Sequence, residues 1–231
     1  KLGGLKARNI GPAGMSGRIA AIDAFRGDPR IVWVGAASGG VWKSTNGGLT
    51  FEPVFDEQPV HSVGAVAVDP RTPDVVWVGT GEGNVRNSVA HGDGVYRTRD
   101  GGKTWTNVGL GKSERIHRIL LDPRDERVAW ACAVGPAWSD GDERGVFRTT
   151  DGGKSWKKVL YVDAKTGCAD LALDPGNPDH LLAAMWDFRR TPYGFRSGGA
   201  GSGLHVTWDG GETWTKLGEK EGMPKGNLGR I

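Results

Sequence analysis

The sequence predicts an all-β fold built from repeated four-stranded units, and three observations support that prediction. Glycine contributes 39 of the 231 residues, more than twice its average share of about 7%. One eleven-residue segment recurs four times along the chain. An Asp-Pro pair precedes every copy, and short apolar runs lie between these turn signals. The glycines show no period of three and 37% of the residues are hydrophobic, which excludes collagen-like and disordered chains.

The recurring segment has the composition of a tight turn between two strands. It contains a Ser or Thr, an Asn or Asp two residues later, a Gly-Gly pair and a closing aromatic residue. The copies are Val41–Phe51, Val95–Trp105, Val146–Trp156 and Leu204–Trp214. Glycine permits the positive φ of such a turn, and the Asn or Asp side chain accepts backbone N–H bonds across it.

The four Asn or Asp positions are therefore interpreted as structural residues. They are Asn46, Asp100, Asp151 and Asp209, which lie 54, 51 and 58 residues apart. The alternative is that they are catalytic acids or Ca²⁺ ligands. Four equivalent copies cannot all lie at one active site, and the amide of Asn46 cannot act as an acid, so we favour the structural interpretation.

Each unit resolves into four short strands. The Asp-Pro turns begin at Asp28, Asp69, Asp122 and Asp174, because Asp bonds its own backbone and Pro presets φ. The predicted units are approximately residues 16–55, 62–110, 115–162 and 167–218. Residues 226–231 are predicted to begin a fifth unit, so we expect a chain that is part of a longer protein or that pairs with a second copy.

Composition excludes several partners and compartments. The formal net charge is only +3 and no block of like charges occurs, so no nucleic-acid partner is indicated. Apolar runs such as Ile31–Val34 are far shorter than the ~20 residues that span a bilayer. The chain begins at Lys1 without a signal-peptide apolar segment, as a mature or trimmed chain would, and we expect a secreted or periplasmic protein.

The sequence indicates neither a cofactor nor a metal. It contains no phosphate loop, nucleophile elbow or zinc motif. Cys132 and Cys168 match no metal-ligand spacing, and we expect two unpaired buried thiols. A single internal bridge between them is the alternative.

The recurring segments resemble Asp-boxes, also called BNR repeats, of the pattern Ser/Thr-x-Asp-x-Gly-x-Thr/Ser-Trp. Proteins with this motif include sialidases, xyloglucan-cleaving glycosidases, the sortilin (VPS10) luminal domain and photosystem II assembly propellers. The resemblance implies a β-propeller of four-stranded antiparallel blades. The stretch Ile10–Ile19, followed by Gly39–Ser44, is most similar to large secreted bacterial proteins called sortilin-like or glycosyl hydrolases.

The loops between second and third strands form the predicted binding face. In a four-stranded blade these loops lie at the end opposite the Asp-boxes. They differ in length, as Ala36–Gly39, Thr80–Asp93, Val134–Arg144 and Asp187–Ser202, and insertions on one face typically mark a binding surface. The candidate ligand-binding residues in these loops are Arg86, His91, Trp138, Asp140, Phe188, Arg189 and Tyr193. The alternative is that Phe188, Tyr193 and Phe195 pack against a neighbouring blade.

Arginines at the start of first strands are further candidates. Arg18, Arg115 and Arg230 occupy equivalent positions, where they could line the central channel and bind a carboxylate. We favour the alternative, in which each pairs with a carboxylate or carbonyl of the adjacent blade. Trp33, Trp77, Trp130 and Trp186 recur on second strands and are predicted to be interblade core.

Three functions are consistent with this resemblance, and a non-catalytic binding domain is favoured. It would hold a protein, peptide or glycan on the loop face. The xyloglucan-cleaving family carries a catalytic Asp just before the Gly-Gly of its first blade, but the matching stretch Gly35–Gly40 has no carboxylate. The alternatives are a xyloglucanase- or sialidase-like glycoside hydrolase whose catalytic residues lie partly outside this chain, and an assembly or scaffold subunit.

Overall fold

The computed structural model describes residues 18–231 and consists almost entirely of antiparallel sheet. The motif Ile10–Gly17 lies outside the described residues. Four sheets of consecutive strands follow one another along the chain, which confirms the predicted propeller class with four-stranded blades.

The four blades share one strand order. Blade 1 comprises β1 (Ile19–Ala24), β2 (Val32–Ala36), β3 (Gly40–Ser44) and β4 (Glu52–Pro53). Blade 2 comprises β5 (Val63–Val68), β6 (Val76–Thr80), β7 (Val95–Thr98) and β8 (Thr106–Asn107). Blade 3 comprises β9 (Ile116–Leu121), β10 (Ala129–Ala133), β11 (Gly145–Thr149) and β12 (Lys157–Leu160). Blade 4 comprises β13 (Thr166–Asp174), β14 (Asn177–Thr191), β16 (Gly203–Thr207) and β17 (Thr215–Lys216), while β15 (Gly194–Ser197) pairs with the end of β14. Short 3₁₀ helices span Gly111–Ser113 and Glu219–Glu221.

The first strand of each blade lies at the centre of the arrangement. Strands β1, β5, β9 and β13 contact one another in succession, as strands around a channel do. Each carries a register shift near its start. Residues 226–231 form one isolated bridge, between Leu228 and Gly199.

The Asp-box turns are closed by side-chain hydrogen bonds. In blade 2, Thr98 Oγ1 donates to Asp100 Oδ1 over 2.7 Å and accepts from Gly102 N over 3.0 Å. The same carboxylate accepts from Thr104 N over 2.9 Å. In blade 1 the Asn46 amide takes this place and accepts from Thr50 N over 3.0 Å. The motif therefore fixes the hairpin through its own side chains.

The Asp-boxes of blades 2, 3 and 4 each cover a tryptophan of the preceding blade. Trp77 is fully buried, and a Cβ on Gly153 of the next box would lie only 3.3 Å from its ring. The Arg97 guanidinium also lies over the indole, 4.8 Å from the ring centroid, and donates to Gly152 O over 3.2 Å. Trp156, which closes the same box, donates from Nε1 to Val108 O of the preceding blade over 2.7 Å. Adjacent blades are thus joined by packing and hydrogen bonds together.

Blade 4 differs from this pattern, because its second-strand tryptophan lies at another position. Trp33, Trp77 and Trp130 are fully buried second-strand residues, but Trp186 is not their equivalent. The register pairs Leu182 with Val206, as it pairs Trp77 with Arg97. Trp186 lies four residues further along β14, where it stacks on Phe188 with 4.3 Å between ring centroids.

The expectation of unpaired thiols is wrong. Cys132 of β10 and Cys168 of β13 form a disulfide, with 5.1 Å between their Cα atoms. Both residues are fully buried, so the bridge joins blades 3 and 4 inside the core. Sequence spacing could not show this, because the two strands meet only when the blades pack.

We predict that the Asp-box carboxylates make the fold sensitive to acid. Hydrogen bonds from Ser155 and Thr149 hold the pKa of Asp151 at about 2, below its usual 3.8. The resulting stabilisation is complete above pH 3.8 and is lost as the pH falls through about 2. Asp151→Ala should therefore lower Tm at pH 7 in thermal denaturation followed by circular dichroism. The Tm difference from the unchanged protein should shrink as the pH approaches 2.

Asp151→Asn is the matched control, because Asn46 occupies the equivalent position in blade 1. The amide oxygen of Asn can still accept from Ser155 N, but an amide does not ionise and so lacks the additional stabilisation that the charged carboxylate provides. Its Tm at pH 7 should lie between those of Asp151→Ala and the unchanged protein. Equal Tm values for all three proteins at pH 7 would contradict a stabilising role for this turn.

We also predict that the disulfide contributes substantially to stability. Replacing both Cys132 and Cys168 by Ala should lower the free energy of unfolding by ~2–5 kcal/mol, because the cross-link restricts the unfolded chain. Urea denaturation measures this loss. The same loss should appear when the unchanged protein is unfolded with a reductant, and an unaltered midpoint in both experiments would refute the prediction.

Candidate functional site

The two ends of the blades have different roles. At one end the Asp-box glycines donate to residues that follow the Asp-Pro turns, such as Gly101 N to Asp74 O over 3.0 Å. The loops between second and third strands lie at the other end, which we call the loop face. The blade 1 loop is a short turn, whereas those of blades 2, 3 and 4 are long.

The blade 4 loop is a hairpin that reaches over its neighbours. Strand β14 continues to Thr191 and turns back as β15, so most of the predicted loop Asp187–Ser202 is extended β-structure. Arg190 N donates to Ala137 O of the blade 3 loop over 2.9 Å. Arg190 Nε donates to Asn87 Oδ1 of the blade 2 loop over 2.6 Å. The hairpin thereby connects three blades.

Three predicted site residues are brought together. Arg189 Nη1 donates to Trp138 O over 2.7 Å, and Arg189 Nη2 pairs with Asp140. Trp138 is 43% exposed beside this ion pair. Tyr193 lies at the hairpin tip and is fully exposed, and Phe195 follows it at 41%. Phe195 pairs with Arg190 across the hairpin and lies edge-on to Trp186, with 5.7 Å between ring centroids, so it faces the core side of the hairpin. We call the exposed rings of Trp138 and Tyr193 the aromatic surface of the loop face.

Phe188 does not belong to this surface, contrary to our prediction. It is fully buried in a core cluster with Trp186, Val134, Ala137 and Ala169. Residues at alternate positions of a strand point to opposite sides, so Arg189 faces outwards while Phe188 faces the core. Phe188 therefore supports the hairpin and is closed to a ligand.

The other candidates are distributed differently. Arg86 and His91 are exposed on the blade 2 loop, whose residue Asn87 bonds the hairpin. Arg18 Nε donates to Glu82 Oε1 of the next blade over 2.9 Å, which is the adjacent-blade pairing we favoured. Arg115 is only 2% exposed and bonds Glu114 over 2.8 Å. It is buried away from any channel ligand, so its assignment to the binding residues is wrong.

Four carboxylates of the loop face have partners. Glu82 is buried and pairs with Arg18. Asp140 pairs with Arg189, and Asp187 with Arg196. Asp93 Oδ2 accepts from the Tyr96 hydroxyl over 2.7 Å. These acidic groups therefore hold the loops in place.

Arg144 organises the blade 3 loop from inside. Its guanidinium is fully buried and donates to the carbonyls of Val134, Pro136, Ser139 and Lys165. It also lies 4.8 Å from the centre of the Phe188 ring. Burial lowers the pKa of Arg144 to about 10, so the side chain stays charged at neutral pH. Arg144, the last residue of the loop that carries Trp138 and Asp140, therefore holds that loop in place.

Sequence reasoning missed His117, which lies near the channel at the loop face. It follows Arg115-Ile116 on β9, at the register shift of that strand. Arg230 Nη2 lies 2.9 Å from His117 Nε2, and Arg230 Nη1 donates to Asn84 Oδ1 over 2.9 Å. The only available signal was a histidine directly after the repeated Arg-Ile pair, where the other blades have a small residue.

Fold and motif together define the class of protein. Four-stranded blades joined through Asp-boxes constitute an Asp-box β-propeller domain. The model of the Sortilin-Vps10 family, described as sortilin and neurotensin receptor 3, matches residues 93–223. This match covers more than half of the chain, which therefore belongs to that family.

The chain is similar in sequence to xyloglucanases and to a photosystem II assembly protein. A xyloglucanase of Paenibacillus sp is 26% identical over 223 residues, which cover 85% of this chain and 20% of the relative. A photosystem II assembly lipoprotein of Nostoc sp. is 27% identical over 142 residues, covering 53% of this chain and 41% of the relative. This chain thus spans about a fifth of the length of the xyloglucanases that it matches first.

Solved structures agree with this fold. The GH74 xyloglucanase from Xanthomonas campestris superposes with a TM-score of 0.62 at 20% identity, covering 85% of this chain and 29% of that one. At this identity the likeness concerns the fold alone. Within residues 18–231, no helix has the length and apolar character needed to cross a membrane.

We predict that Arg144 determines the order of the blade 3 loop. Arg144→Lys should lower the free energy of unfolding by ~2 kcal/mol or more, because one ammonium cannot serve carbonyls in several directions. Hydrogen exchange of the backbone amides in residues 134–144 should become faster. Arg86→Lys, at an exposed position, is the control and should change neither quantity. Unchanged exchange in Arg144→Lys would show that the loop is held by other contacts.

Proposed function

We propose that this chain is a non-catalytic binding domain that holds a protein, peptide or glycan ligand on its loop face. The observation that carries the proposal is the double contact of Arg189 with Trp138 O and Asp140. This contact joins the loops of blades 3 and 4 at Trp138, one of the two residues of the aromatic surface. Exposed aromatic rings beside fixed polar groups suit both sugar stacking and peptide capture.

The state of the carboxylates supports binding over hydrolysis. Glycoside hydrolysis generally requires two carboxyl groups that flank the scissile bond. In this structure Glu82, Asp140 and Asp187 are each committed to an arginine. A carboxylate held in that way is not directed at a glycosidic oxygen. The segment Gly35–Gly40, where the resemblance implies a catalytic Asp, contains none.

Two other functions have specific support. The xyloglucanase relatives favour a glycoside hydrolase whose catalytic groups come from other parts of a longer protein, since this chain covers only 20% of such a relative. The photosystem II assembly relative favours a scaffold role, with a protein partner on the loop face. Neither alternative alters the proposed use of the aromatic surface.

We further propose that the domain works outside the cytoplasm, in a secreted or periplasmic protein. The supporting observation is the buried disulfide between Cys132 and Cys168, because structural disulfides persist in oxidising compartments. Alkylating free thiols during cell lysis tests this directly. The protein is unfolded without a reductant during labelling, so that buried thiols become accessible. A disulfide-bonded protein should remain unlabelled, whereas labelling of both cysteines would place the protein in a reducing compartment.

We predict that ligand binding depends on the aromatic surface. The protein is screened against arrays of β-glucans, sialosides and peptides, and affinity for each ligand found is measured by calorimetry. Trp138→Ala and Tyr193→Ala should each weaken binding by about fivefold or more, equivalent to ~1 kcal/mol, because both rings are exposed contact residues.

Trp208→Ala is the matched control, because Trp208 is 67% exposed within the Asp-box of blade 4, at the opposite end of the blade. It should leave ligand affinity unchanged. Hydrolysis of a β-glucan or sialoside that is abolished by Asp93→Asn, Asp140→Asn or Asp187→Asn would establish an enzyme instead. If Trp138→Ala and Trp208→Ala change ligand affinity equally, the ligand does not bind specifically at the loop face and the proposal is contradicted.

A further inference from the structure

A second set of contacts lies at the channel side of the loop face, apart from the aromatic surface. Asn84 of the blade 2 loop, His117 of β9 and Trp186 of β14 surround the guanidinium of Arg230. Its Nη1 donates to Asn84 Oδ1 over 2.9 Å, and its Nη2 lies 2.9 Å from His117 Nε2. The guanidinium carbon lies over the Trp186 ring, 5.3 Å from the centroid. Three blades therefore contribute to one small site.

The chemistry of His117 is fixed by this arrangement. Arginine has only donors, so His117 Nε2 must accept and the imidazole proton must lie on Nδ1. Nδ1 is buried against Gly83 and has no hydrogen-bond partner among residues 18–231. A buried N–H without a partner carries a free-energy cost. The imidazole has this unpaired Nδ1–H in the same orientation in which its Nε2 lone pair faces the site.

Surrounding charges keep this acceptor neutral. Burial and the charge of Arg230 lower the pKa of His117 to about 4, with Arg118 acting in the same direction and Asp170 and Glu82 opposing it. Asp170 and Glu82 are themselves paired, with Arg118 and Arg18 respectively. The imidazole is therefore uncharged at neutral pH and able to accept from a cation.

The aromatic side of the site is held rigidly. Trp186 stacks on Phe188 at 4.3 Å, and Arg144 lies over the far side of the pair, 4.8 Å from the Phe188 centroid. Trp186 Nε1 also donates to Ser197 Oγ over 3.1 Å. An indole fixed in this way offers its free face to a cation without further ordering.

We propose that Asn84, His117 and Trp186 form a binding site for a guanidinium group, that of an arginine side chain. In this structure Arg230 of the same chain occupies the site, and an arginine of a binding partner would occupy it by displacing Arg230. The site selects arginine over lysine because its two acceptors receive two different nitrogens of one planar fork. A single ammonium nitrogen cannot occupy both positions. The site is independent of the proposed function of the aromatic surface.

The test uses Arg230→Ala to empty the site and small probes to fill it. The probes are N-acetyl-arginine amide and N-acetyl-lysine amide, and NMR follows the indole N–H of Trp186 and the ring protons of His117. The arginine probe should bind Arg230→Ala about tenfold more tightly than the lysine probe does, the effect of about one charged hydrogen bond. It should bind the unchanged protein about tenfold more weakly, because Arg230 competes. In Arg230→Ala the pKa of His117 should rise from about 4, since a nearby positive charge is removed.

Two further substitutions, each made in the Arg230→Ala background, keep the proposal falsifiable. His117→Phe preserves ring packing against Gly83 but removes the acceptor, and should weaken the arginine probe about tenfold. Asn84→Asp adds a negative charge at an exposed position and should increase the affinity for the arginine probe. Trp138→Ala should have no effect, which separates this site from the aromatic surface. Equal affinity for both probes, or an arginine affinity that His117→Phe leaves unchanged, would overturn the proposal.

Discussion

The contact between a second-strand tryptophan and the Asp-box of the following blade is the interaction on which the rest of this structure depends. In blades 1, 2 and 3 it buries the second-strand tryptophan and places a glycine against the ring, as Gly102 does at Trp33. The basic residue on the neighbouring strand, Lys43 in blade 1, covers the indole and bonds the box carbonyl at Gly101 over 2.9 Å. Because every junction uses the turn end of the blade, the opposite end is left free to vary.

Blade 4 shows what happens when this tryptophan moves along its strand. Leu182 and Val206 occupy the places of the tryptophan and its cation, while Trp186 lies at the loop-face end and supports the hairpin. The disulfide from Cys132 to Cys168 adds a covalent link between blades 3 and 4. In blade 4 the tryptophan of the second strand therefore supports the loop-face hairpin.

The sequence predicted the features that repeat and missed those that depend on contacts between blades. The Asp-boxes, Asp-Pro turns and strand order are local, and each copy of the repeat supports the others. The grouping of Trp138, Asp140 and Arg189 followed from their common face. The burial of Phe188 could not be predicted, because the loop was not known to be a hairpin with two sides. The disulfide and the role of His117 likewise require strands from different blades to meet.

The electrostatic arrangement of the loop face explains why rigidity and catalysis compete there. Each carboxylate that fixes a loop, such as Asp187 with Arg196, is removed from acid–base chemistry by the same ion pair. A hydrolase would have to leave two of these groups unpaired, and if Asp140 were one of them the hairpin would lose its ion pair with blade 3. Here arginines pair with Glu82, Asp140 and Asp187, while the rings of Trp138 and Tyr193 remain exposed. The proposed binding function requires this kind of preorganised surface, because a ligand then loses less free energy to the ordering of loops.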